Sequence, residues 1–117
     1  MAVAPARTQP LIAVLSRVPL FVEALRAAFE GIADVQSVSA DDVAAHGLVR
    51  AFRPDVVIIE GADTGAVDIA VPCVRVELNE QRLSIWSGGE WKTIEVELSP
   101  ETIRNVAVAA LYGGDTP

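Results

Sequence analysis

The sequence predicts an α/β fold, a three-layer sandwich with helices on both faces of a mostly parallel sheet. Three observations carry this expectation. The hydrophobic period switches repeatedly between that of a strand and that of a helix, the pattern left by strands and helices alternating around a parallel sheet. Two apolar stretches, Leu11 to Leu15 and Asp55 to Glu60 (DVVIIE), read as buried strands, the second as the central one. At 117 residues, 51% of them hydrophobic and 21% charged, the chain suits one folded domain, too apolar for disorder and too interrupted by charge for a membrane span.

Taken in order, Met1 to Gln9 and Gly113 to Pro117 contain proline and read as flexible tails, which leaves Pro10 to Tyr112 as the folded domain. After the first strand, Pro19 suits the first turn of a helix, where its missing N–H costs nothing. Phe21, Leu25, Ala28, Phe29 and Ile32 form one apolar stripe, and Gly31 is a stop signal. Val35 to Val38 is short and β-branched. Ser39 and Asp42 then resemble the start of a second helix that runs to about Phe52. Arg53-Pro54 ends that helix, because a residue before proline is pushed out of the α region.

Gly61 to Pro72 is barely long enough for a crossover between parallel strands, with room for about one helical turn. Cys73 to Leu78 reads as a strand. Arg82 to Trp86 and Trp91 to Leu98 read as a hairpin around Ser87-Gly88-Gly89-Glu90. Its register sets Trp86 opposite Trp91 and Arg82 opposite Glu95, with Leu83, Ile85, Ile94, Val96 and Leu98 on the core side. Ser99-Pro100-Glu101 starts a last helix whose core face is Ile103, Val106, Ala107, Ala110 and Leu111. The order and direction of the last strands are not set by the pattern.

Composition narrows the function classes. A net charge of −7, with only nine scattered Lys and Arg, argues against nucleic acid as a partner, since phosphates need clustered cations. The first apolar run is broken by Ser16, Arg17 and Pro19 before it reaches signal-peptide length, so no export signal and no membrane partner is expected. Cys73, the single cysteine, fits a reducing, cytoplasmic compartment. It reads as a buried small hydrophobe rather than a reactive thiol. His46, the single histidine, lacks companions at ligand spacing, so no metal is expected and a solvent-facing or half-buried ring is preferred. The loop Ser16-Arg17-Val18-Pro19 lacks the glycines of a dinucleotide site, and there is no G-x-S-x-G elbow. No cofactor and no hydrolase chemistry follow.

Three segments resemble the receiver domains of two-component response regulators: Val18-Pro19-Leu20 after strand one, Arg53-Pro54-Asp55-Val56-Val57-Ile58-Ile59, and Ser99-Pro100-Glu101. The resemblance spans most of Leu11 to Leu111 and implies a flavodoxin-like (CheY-like) sandwich in which a C-terminal β-hairpin replaces part of the usual helix–strand pattern. It does not carry the family's chemistry with it. Where the family has an acidic pair that holds Mg²⁺, this chain has Ser16 and Arg17, and a guanidinium repels a hard cation. Glu60 stands at the phospho-acceptor position, one methylene longer than aspartate. Val96 falls near the position of the family's lysine, with Lys92 four residues away, and Glu77 to Asn79 replace its hydroxyl residue. The resemblance therefore implies a degenerate receiver, not an enzyme, that works by phosphorylation-independent binding in bacterial signalling.

Four features are candidates for function. Arg17 and Glu60 either pair where metal and phosphate sit in the family or both point to solvent. Asp63 and Thr64, after the central strand, form either a small-ligand loop at the sheet's switch point or a plain turn. Trp86 and Trp91, the only tryptophans, are either cover for the core or an anchor for a protein partner. An edge hairpin also offers a route to a homodimer. The alternative to a binding module is a flavodoxin-like domain that takes a small ligand, or performs chemistry, near Glu60.

Overall fold

The computed structural model describes residues 9–39, 41, 44–61, 71–87 and 89–111. Within them the elements are β1 (Leu11–Ser16), α1 (Pro19–Ala28), β2 (Asp34–Ser39), α2 (Ala45–Phe52), β3 (Val56–Glu60), β4 (Cys73–Glu77), β5 (Arg82–Ser87), β6 (Glu90–Ile94) and α3 (Pro100–Leu111). The expected tails lie outside the described residues, apart from Gln9. So does the interior of the Gly61 to Pro72 connection.

One six-stranded mixed sheet, in the order β2-β1-β3-β4-β5-β6, holds the fold together. The first four strands in that order are mutually parallel, while β5 and β6 run antiparallel to their neighbours. The reason lies in the connections. A parallel neighbour needs a crossover of a dozen residues or more, but β4 and β5 are joined only by Leu78 to Gln81, which permits a hairpin and nothing else. Gln81 sits at φ 53° and its N–H bonds Leu78 O at 3.3 Å, which closes the turn.

Two cores lie on opposite faces of the sheet. On one face Ile12, Val14, Val56, Ile58, Val74, Val76 and Leu83 pack beneath Phe21, Leu25 and Phe29 of α1 and its C-terminal turn, and beneath Ile103 and Ala107 of α3. On the other, Ala13, Leu15, Val57, Ile59 and Cys73 lie with Ala45 and Val49 of α2. These sets alternate along each strand, so β1 and β3, covered on both faces, show continuous apolar runs.

Local signals explain most boundaries. Pro19 occupies the first turn of α1, whose last regular residue is Ala28. Gly31 takes φ 78° in the turn that follows. Ser99 accepts a hydrogen bond from Thr102 N at 3.1 Å while Thr102 Oγ1 accepts one from Ser99 N at 2.9 Å. This is a reciprocal cap in which threonine takes the usual Glu or Gln place. Asp55, just before β3, accepts from Leu11 N through Oδ2 at 2.8 Å and so ties the start of β1 to β3.

Two boundaries differ from expectation. Ser39 is the last residue of β2, not a helix cap. α2 begins at Ala45 with no side-chain cap, and Ser39 Oγ instead accepts from Asp41 N at 3.3 Å. β6 ends at Ile94 rather than Leu98, so Val96 lies in a bend, 40% exposed, instead of facing the core. β5 begins at Arg82 opposite Glu77 of β4, and the ladder to β6 extends only as far as Leu83 with Ile94. The residues after Ile94 therefore turn away toward α3.

Candidate functional site

The sheet's β4–β6 end carries the best-formed cluster of polar and aromatic side chains. In β4, Val74 and Val76 enter the core beneath α3. The intervening Arg75 and Glu77 project from the opposite face with Cys73. Antiparallel pairing then extends this face sideways: Arg75 lies beside Ser84, Glu77 beside Arg82, Ser84 beside Thr93 and Trp86 beside Trp91. α1 and α3 pack on the other side of the sheet, and α2 packs over β1 and β2. Among the described residues, no helix stands over the hairpin here.

The side chains form a connected array. The Trp86 and Trp91 rings meet edge to face, with centroids 5.2 Å apart and planes at 71°. The Arg75 guanidinium carbon sits 4.5 Å from the Trp91 centroid, a cation–π contact. Arg75 Nε is buried and makes no hydrogen bond, so its charge is met by that ring and by Glu77 Oε1 at 3.8 Å. Glu77, only 7% exposed, also accepts from Arg82 Nη1 at 3.5 Å. Two guanidiniums thus compensate a carboxylate that would otherwise be costly to bury. The hydroxyls of Ser84 and Thr93 complete the strip at 3.5 Å.

Trp86 and Trp91 occupy the expected opposing positions, but their surroundings differ. Trp91 packs at the margin of the second core, whereas Trp86 is 37% exposed. One ring covers the core and the other is offered to solvent.

At the carboxyl ends of β1 and β3 the chain order of the sheet reverses, and the structure brings Ser16 and Glu60 together there. Ser16 Oγ lies 3.4 Å from Glu60 Oε1 and accepts a bond from Val18 N at 2.9 Å. No described contact joins Arg17 to Glu60. The parallel register that sets Val14 beside Ile58 continues to Ser16 beside Glu60, while Arg17 Nε bonds Asp41 Oδ1 at 2.6 Å. Val96, the fourth position singled out by the resemblance, follows β6. It is three strand spacings from β3, roughly 14 Å, and cannot share a site with Glu60.

A cavity of about 270 Å³ opens beside this point, lined among others by Ser16, Arg17, Arg26, Ser37, Ser39 and Asp41. It lies on the β1/β2 side, and Glu60 is not among its described lining residues. Asp63 and Thr64 lie outside the described residues, as does the side chain of His46, whose backbone is in α2. Among the described residues, no three His, Cys, Asp or Glu gather into a group able to hold a metal ion, and no helix is long and apolar enough to cross a membrane. Cys73 is buried, and desolvation pushes its thiol up to about 11, so it is protonated and inert at neutral pH.

Sequence reasoning missed the Arg75–Glu77–Arg82 cluster. The signal was present in Val74-Arg75-Val76-Glu77, where strict alternation inside a strand places two charges on one face. No family model, curated protein or solved structure matches the chain.

Proposed function

We propose that this chain is a receiver-like module of a bacterial regulatory protein. It acts in the cytoplasm by binding another protein, without catalysis and without phosphorylation. In this reading the fold is a flavodoxin-like sandwich in which the β5–β6 hairpin takes the place of the last helix–strand unit, and the hairpin face that results is the contact surface. The observation that carries the proposal is the exposed Trp86 ring, backed by Trp91 and Arg75, on a face over which no described helix stands. Tryptophan and arginine are the residues that most often anchor protein interfaces, and a pre-packed aromatic pair loses little conformational freedom on binding.

Independence from phosphorylation is supported by the strand-end chemistry. Ser16 occupies one acidic position of the family and donates to Glu60, and Arg17 is engaged with Asp41. Neither residue supplies an anionic oxygen for a divalent cation.

The test is affinity capture from lysate of the native host, comparing wild type with Trp86→Ala/Trp91→Ala after circular dichroism shows that the variant is folded. A partner retained by wild type and lost by the variant is expected. In parallel, incubation with a small-molecule phosphodonor and Mg²⁺ should leave the mass of the intact protein unchanged. A stable phospho-adduct, or a partner held equally by both proteins, would overturn the proposal.

A further inference from the structure

We infer that β6 pairs with the β6 of a second copy, antiparallel and centred on Trp91, joining two sheets into one. This rests on the hairpin being the contacting element and adds the identity of one partner. β6 is one of the two edges of the sheet, and an edge strand presents a row of N–H and C=O groups to any strand that can match them. β2, the other edge, carries a single charged residue, Asp34, and so has no complementary charge in any self-pairing.

The hairpin register determines which groups β6 offers. Ser87 pairs with Glu90 across a two-residue connection, and in a two-residue hairpin the closing pair is the hydrogen-bonded kind. Antiparallel pairs alternate between bonded and non-bonded, so the next pair, Trp86 with Trp91, is non-bonded across the hairpin. The N–H and C=O of Trp91 and Thr93 therefore point to the free edge. The close approach of the two tryptophan rings fits a non-bonded pair, in which side chains stand nearer to each other.

In a two-fold β6 pair, outward groups must meet outward groups, so the axis passes through a residue. An axis at Glu90 sets Glu90 against the partner's Glu90, and one at Lys92 sets two lysines face to face. Like charges directly opposite are destabilising. An axis at Thr93 places Lys92 against the partner's Ile94 and leaves the charges unmatched. Only the axis at Trp91 puts Glu90 opposite the partner's Lys92, twice by symmetry. It also sets Trp91 beside the partner's Trp91, so four tryptophans form one strip across the joint. Lys92, which on an isolated edge discourages pairing, becomes the residue that selects the register. Such an interface is isologous and closes at two copies.

The experiment is sedimentation equilibrium of the full chain from micromolar to millimolar concentration at physiological ionic strength, with intrinsic fluorescence recorded alongside. Both tryptophans lie in the hairpin, so tryptophan emission reports on this element. Wild type is expected to dimerise with a concentration-dependent shift in emission. Glu90→Lys and Lys92→Glu should each raise the dimer dissociation constant about tenfold, because each turns two attractive pairs into repulsive ones. The double variant Glu90→Lys/Lys92→Glu should restore wild-type affinity. Thr93→Pro, which removes an outward N–H and none of the hairpin's own, should abolish the dimer while far-ultraviolet circular dichroism stays that of a folded chain.

A chain that is monomeric throughout overturns the inference. So does a dimer indifferent to the single reversals, or one that the double reversal fails to restore. A monomer that still loses a different partner in Trp86→Ala/Trp91→Ala ends the dimer and leaves the binding-module reading intact.

Discussion

In β1 all six residues are buried and in β3 the four apolar ones are, whereas in β6 none is fully buried and only Trp91 and Ile94 are half-buried. The difference follows from what covers each region. β1 and β3 have α1 and α3 on one face and α2 on the other, while β5 meets the core through one face and β6 touches a core only through Trp91, with no helix, among the described residues, over the face that carries the tryptophans. A strand covered twice is apolar except at its end, as β1 is before Ser16 and β3 before Glu60. A strand covered once is free to carry Trp, Arg, Ser and Thr at every second position. The parallel region is thus filled with apolar side chains, and the hairpin keeps polar and aromatic ones on its open face.

Equal truncations in the two regions are the strongest way to break this comparison. Ile58→Ala, in a fully buried site of β3, should destabilise by about 3 kcal/mol, whereas Ile85→Ala, half-buried in β5, should cost about 1 kcal/mol. Urea denaturation reads both, and similar losses would show that the hairpin is as integral to the core as the parallel strands.

Cys73 lies in β4, where the two regions meet, and it sharpens the comparison through pH. Burial raises its pKa from 9.0 to about 11, so the folded state holds the thiol proton more tightly than the unfolded state. The associated stability is fully present below about pH 9 and is lost as pH rises from about 9 to about 11, an effect of about 2 to 3 kcal/mol. Stability measured against pH for wild type and Cys73→Ala should diverge in slope across that window. Parallel curves would place the thiol in contact with water.

A double-mutant cycle on Trp86 and Trp91 should give a coupling of about 1 kcal/mol, the value expected for an edge-to-face pair. Coupling near zero would mean that the rings are not held together in solution, and the proposed contact surface would lose its support. The smallest effect is expected at Arg17→Ala, within about 0.5 kcal/mol by the same denaturation assay, because its ion pair with Asp41 is exposed.

The elements that could be read from sequence are those whose signals are local. Pro19, the Arg53-Pro54 break and Ser99-Pro100 mark helix ends through backbone restrictions that act within a few residues, and the structure places them there. Ser39 misled for the same kind of reason. A hydroxyl followed by acids satisfies a cap in isolation, but pairing with β1 extends β2 through Ser39 and moves the start of α2 to Ala45. In the candidate site, Trp86 opposite Trp91 was legible because hairpin register follows from turn length. The alternation of β4 sets Arg75 and Glu77 on one face, but the third member of that cluster was not legible, since only the pairing of two strands sets Arg82 beside Glu77.

The sequence by itself determined the α/β class, the buried character of β1 and β3 and the facing tryptophans, because each is written in hydrophobic period or turn chemistry over short distances. The tertiary structure alone decided that Ser16 rather than Arg17 meets Glu60, and that Trp86 is exposed while Trp91 covers the core. Each of these depends on which strand lies next to which and what packs above it. Such relations are set when distant segments meet.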